Sequence, residues 1–76
     1  MTRLPSVSGR QAVSAFERVG FRVRRQRGSH IVMAKPGYSQ HLSVPDHRVV
    51  KQGTLRALIR KAGLRVEEFA ELLSRS

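Results

Sequence analysis

Phe21-Arg22-Val23-Arg24-Arg25-Gln26-Arg27-Gly28-Ser29-His30-Ile31-Val32-Met33-Ala34 reads as a β-hairpin. Its first part, Phe21-Arg22-Val23-Arg24, alternates apolar and basic, the period-two pattern of a half-buried strand. Ile31-Val32-Met33-Ala34 is the apolar return strand. If Phe21 and Val23 face the core, their partners should be apolar, and Ile31 and Met33 meet that demand when Val23 lies opposite Ile31. That register leaves a three-residue loop, Gln26-Arg27-Gly28, with Gly28 at the left-handed position such loops favour. A two-residue loop would set Arg24 opposite Ile31, placing arginine in the core or isoleucine outside. On this reading Arg22, Arg24 and His30 share the outer face of the sheet.

The flanks supply the rest of the fold. Met1 to Val7 is an irregular lead-in. Ser8-Gly9-Arg10-Gln11 is a capping signature, in which Ser8 and Gln11 satisfy each other's amides. Ala12, Val13, Phe16 and Val19 follow at helical spacing, predicting a helix over Gly9 to Val19 that stops at Gly20. Beyond the hairpin, Lys35-Pro36-Gly37-Tyr38 is a turn. Leu42-Ser43-Val44 is a short third strand ending at Pro45, with His41 and Ser43 on the outer face. After a loop over Asp46 to Val50, the stripe Leu55, Leu58, Ile59, Ala62 predicts a second helix stopped at Gly63. A last helix spans Val66 to Leu73, with Glu67 and Glu68 at the end where the dipole favours negative charge. Phe16, Phe21 and Phe69 fall on the apolar stripes and belong to the core. The order α-β-β-β-α-α predicts an α+β fold: a three-stranded antiparallel sheet with helices on one face and the other face wet.

A chain of 76 residues has room for one domain, spanning 1–76. With no cysteine, neither a disulfide framework nor a thiolate metal site is possible. No apolar run approaches the roughly 20 residues of a membrane span. Met1 to Pro5 holds nothing resembling a secretory core, so the expected location is the cytoplasm. Fifteen lysines and arginines against five acidic residues give a net charge of +10, which draws the chain to polyanions, nucleic acid first.

The hairpin carries the chemistry. Histidine is the side chain best placed to move protons near neutral pH. Arginine is best suited to grip phosphate. His30 beside Arg22, Arg24, Arg25 and Arg27 therefore points to RNA chemistry, with His30 as the candidate catalytic residue. Gly28 and Ser29 at the tip, Lys35 and Arg48 complete the candidate RNA-binding set. His41 and His47 are candidate auxiliaries, and Tyr38 is a candidate for stacking on a base or capping the hairpin. The spacing of the three histidines matches no compact ligand motif, so neither a metal nor another cofactor is expected.

The residues Leu4-Pro5-x-Val7-Ser8-Gly9, Arg27-Gly28-Ser29-His30, Val44-Pro45-Asp46-His47, Gly53-Thr54-Leu55-Arg56, Lys61-Ala62-Gly63-Leu64 and Glu67-Glu68-Phe69, in this order, resemble the HicA family of toxins from type II toxin–antitoxin systems. The resemblance implies a fold like the double-stranded-RNA-binding domain, mRNA cleavage with His30 as catalytic residue, and a HicB-like antitoxin covering the His30 face. The chain departs from the family pattern at Gln52, where proline is common, and at Arg65, where a capping serine is common. Two rivals stand beside this reading. One is a double-stranded-RNA-binding module without catalysis. The other is a DNA-binding regulator using Arg56, Arg60 and Lys61, which the core-facing stripe of the same helix disfavours.

Overall fold

The structure is a computed structural model that describes residues 3–75. Of the lead-in expected over Met1 to Val7, Met1 and Thr2 lie outside the described residues. The elements are α1 (Gly9–Glu17), β1 (Arg22–Arg27), β2 (His30–Ala34), β3 (Leu42–Pro45), α2 (Gln52–Lys61) and α3 (Val66–Ser74). The strands form one antiparallel sheet in the order β1-β2-β3. Ile31, Met33, Leu42 and Val44 turn one face into the core. α1 and α2 pack on that face, and α3 packs on α1 and α2. This is the α+β arrangement the sequence predicts, with the layout of a double-stranded-RNA-binding domain.

Capping chemistry explains where the helices begin. Ser8 Oγ accepts the Gln11 N–H at 3.1 Å and Gln11 Oε1 accepts the Ser8 N–H at 2.9 Å, the full reciprocal box. At α3 the cap is Arg65, whose side chain has no acceptor to offer. Only the return half forms: Glu68 accepts the Arg65 N–H at 2.8 Å and its guanidinium at 3.3 Å. The core is centred on Phe16, whose ring lies 5.1 Å from Phe69 and meets Phe21 edge-on at 6.1 Å. The lead-in is irregular but not loose. Leu4 and Val7 are buried, and the Val7 carbonyl accepts the N–H of buried Val50 at 2.7 Å.

The hairpin register differs from the expectation. The loop has two residues, Gly28 and Ser29, with Arg27 opposite His30 and Gln26 opposite Ile31. Gly28 has φ +59° while Ser29 does not take positive φ, the pattern of a type II′ turn with glycine first. Val23 pairs with Met33 rather than Ile31: the two-residue loop would set it opposite Ala34, and a bulge between Val23 and Arg25 inserts one extra residue that moves it to Met33. Val23 is also 46% exposed, not core. β1 is the edge strand, and all six of its residues are exposed. A polar residue opposite Ile31 is tolerated there because the Gln26 amide finds partners at the sheet edge, the Gly28 carbonyl at 3.2 Å and Asp46 at 3.3 Å.

Candidate functional site

His30 opens β2, exposed, between Arg27 on one side and Pro45 on the other. Since Ile31 and Met33 face the core, His30, Val32 and Ala34 face outward. Ser43 stands opposite Val32 on the same outer face, and its Oγ lies 3.4 Å from His30 Nδ1. This is a long contact, and its direction depends on the tautomer. With the proton on Nδ1 donated to Ser43, Nε2 is the free base. Ser43 was placed on this face by strand alternation, but its pairing with His30 needed the third strand's register.

The bulge decides where the arginines go. In a regular strand Arg22 and Arg24 would share one face, Arg25 and Arg27 the other. The extra residue inverts the alternation, so Arg22 stands across from Ala34, Arg25 across from Val32 and Arg27 across from His30. All three thereby take outward positions. Arg27, rather than Arg24, is the cross-strand neighbour of His30. Arg24 instead lines an open cleft with Arg22, Ala34, Lys35, Pro36 and His41. Among the described residues the ion pairs are Arg10–Asp46, Arg65–Glu68 and Arg75–Glu71, so no carboxylate neutralises the hairpin arginines or Lys35.

The tip is braced from behind. The Asp46 N–H donates to the Ser29 carbonyl at 2.6 Å. The Asp46 carboxylate accepts Arg10 Nε at 3.2 Å and Nη2 at 3.1 Å, and the Gln26 amide at 3.3 Å. One residue thus ties the loop after β3 to the hairpin and to the first turn of α1. That role was not legible in sequence, because Arg10, Gln26 and Asp46 come from three separate segments. The Gly9 N–H donates to the His47 carbonyl at 2.9 Å. A Cβ at Gly9 would collide with the Pro45 carbonyl oxygen, so this approach requires glycine. His47 thus anchors the start of α1 with its backbone carbonyl, while its side chain and that of Arg48 are exposed. At Gly28 nothing approaches within 4 Å of where a Cβ would lie, leaving the tip open to a ligand.

His41 is not beside His30. It lines the cleft with Ala34, at the other end of β2. Four residue steps of strand separate the two ends, about 13 Å. Tyr38 belongs to the packing rather than to a stacking platform. Its hydroxyl donates to the Lys61 carbonyl at 2.6 Å and its ring meets Phe21 edge-on at 5.7 Å. Among the described residues no three His, Cys, Asp or Glu side chains gather where they could hold a metal ion. None of the described helices is long and apolar enough to cross a membrane.

No curated protein matches the chain. A family model, described as HicA toxin of bacterial toxin–antitoxin, matches residues 9–64 of the 76. The match runs from the first turn of α1 through the hairpin, the Asp46 brace and α2. The ordered motifs, the fold and this match agree, and the chain belongs to the HicA family of toxins of bacterial toxin–antitoxin systems.

Proposed function

We propose that this toxin is a metal-independent endoribonuclease that cuts mRNA, with His30 as its proton-transferring residue. One juxtaposition carries the reading. His30 lies exposed across from Arg27 and 3.4 Å from Ser43, among arginines without carboxylate partners. RNA brings its own nucleophile, so the protein needs only to move protons and stabilise charge. Nε2 of His30 takes the proton of a 2′-hydroxyl, and that oxygen attacks the adjacent phosphorus. The bond from phosphorus to the 5′-oxygen breaks, giving a 2′,3′-cyclic phosphate and a 5′-hydroxyl. The leaving oxygen is protonated by the imidazolium just formed or by water. Arg25 and Arg27 face the charge that builds on the phosphate. Gly28, Ser29, Arg22, Arg24, Lys35 and Arg48 extend the RNA-binding surface.

The same geometry suggests how a HicB-like antitoxin neutralises the toxin in the cytoplasm, by covering the His30 face and its arginines. A complex that left His30 open to RNA would count against this blocking. The fold also favours a second reading, an RNA-binding module without catalysis. The test compares the parent with His30→Ala, both free of antitoxin, on an mRNA in chelator, with binding measured in parallel. Cleavage by the parent alone, ending in cyclic phosphate, while both proteins bind is the expected result. Equal cleavage by both removes His30 from the chemistry. Binding by both with cleavage by neither moves the assignment to the binding module.

A further inference from the structure

The cleft at the far end of the outer face has no part in the chemistry proposed at His30, and three of its lining residues are cationic. It is lined by Ala34 and Pro36, both small, together with Arg22, Arg24, Lys35 and His41. Lys35 is held in place before any ligand arrives. Its ammonium lies 5.6 Å from the centre of the Phe21 ring and 5.8 Å from that of Tyr38. Its stem packs beside Gly20, where an added Cβ would lie 3.4 Å from Lys35 Cε. Three cationic residues, Arg22, Arg24 and Lys35, line this cleft without a carboxylate partner among the described residues. Gathering like charges is unfavourable unless a counter-charge enters.

We infer that this cleft is a second phosphate subsite, seating a backbone phosphate of the RNA a few nucleotides from the one cut at His30. The inference rests on the ribonuclease reading for which phosphate is cut, and on its own geometry for the subsite. The two ends of β2 lie about 13 Å apart, too far for one phosphate to touch both. Arg25, across from Val32, sits between them on the same face. Arg27, Arg25 and Arg22 thus mark a track along the hairpin for one strand of RNA. The subsite makes affinity depend on chain length and leaves the chemical step to His30.

The experiment measures RNA affinity in the His30→Ala background, so that cleavage cannot interfere. Arg22→Gln with Arg24→Gln is compared with Arg56→Gln plus Arg60→Gln, an equal charge loss on the exposed face of α2. The probes are one RNA of about 12 nucleotides and a nested series shortened to a dinucleotide. The cleft pair should weaken binding of the longest chain about tenfold and lower the salt slope by roughly 0.7, one phosphate's share for a single strand. That deficit should vanish once the chain is too short to leave His30. A cleft pair that costs no more than the helix pair overturns the subsite. So does a deficit that persists down to the dinucleotide, which would mark a general field. If the otherwise unaltered toxin cuts no RNA but the length-dependent deficit remains, the ribonuclease reading falls and the subsite stands.

Discussion

The two faces of the sheet are made from the same three strands and do opposite work. The inner face presents Ile31, Met33, Leu42 and Val44, each no more than 2% exposed, to a core with no buried polar or charged side chain among the described residues. The outer face presents Arg22, Arg25, Arg27, His30 and Ser43, all exposed, with no carboxylate pairing its arginines. Adjacent residues of β2 therefore differ completely in what their loss should do. On the proposed ribonuclease reading, the difference predicts that stability and activity separate one residue at a time along a single strand.

His30→Ala should give the largest effect and the cleanest separation. Removing a general base costs about 10² to 10⁴ in rate. Because His30 is exposed and lies outside the core, the thermal midpoint of the variant should stay that of the parent. Rates on a defined RNA and a melting curve on the same preparation check both halves. A variant that unfolds earlier in proportion to its lost activity would mean that His30 is structural.

Met33→Ala inverts that result three positions along the strand. Met33 is fully buried, and truncating such a residue costs about 2–5 kcal/mol. Urea titration should show the loss, while the rate per folded molecule stays at the parental value. If Met33→Ala instead slows the chemistry of the folded fraction, the two faces are coupled through the strand and the separation fails.

The third expectation concerns the brace that joins the faces at the tip. Asp46→Asn keeps the shape but removes the charge that Arg10 and Gln26 share. Arg10 is 69% exposed and Asp46 25%, so solvent screening limits the stability cost to about 1 kcal/mol or less. The consequence should instead be local. Hydrogen exchange at the Asp46 amide, bonded to the Ser29 carbonyl, should speed up while amides of the core strands keep their protection. A double-mutant cycle with Arg10→Ala should show coupling between the two sites. Additive losses would mean that the pair is ornamental.

How far the sequence could be read follows from the same division. Elements with a regular period, such as the Leu55, Leu58, Ile59 stripe of α2, were legible because burial imposes that period. The reciprocal cap at Ser8 was legible because both its partners lie within one turn. The hairpin register was not, because the alternation rule assumes an unbroken strand. The doublet Arg24-Arg25 was the available signal: it breaks the period that Phe21 and Val23 set, at the place where the bulge inserts its residue. Val50 was assigned to a loop yet is buried, and no local pattern announces it, since its partner Val7 lies far away in sequence. His30 stood out through its neighbours in the chain, whereas Ser43 and the Asp46 brace required the strands to be aligned first.

The smallest expected effect lies away from both faces, at the incomplete cap of α3. The Arg65 backbone N–H holds the Glu68 carboxyl below its ordinary value of 4.5; desolvation opposes it, and the hydrogen bond and charge of the Arg65 guanidinium add to the lowering. A carboxyl lowered on folding binds its proton more weakly folded than unfolded. Its stabilisation is therefore complete above the unfolded value of 4.5 and is lost as pH falls through the lower folded value. Glu68→Gln keeps an acceptor for the Arg65 N–H but cannot titrate. The parent should be slightly the more stable at neutral pH, and the gap should close as pH drops below 4.5. Urea midpoints of both proteins across that range measure it. A gap that stays constant with pH would show that the Glu68 charge contributes nothing to this cap, leaving the neutral hydrogen bond as its whole content.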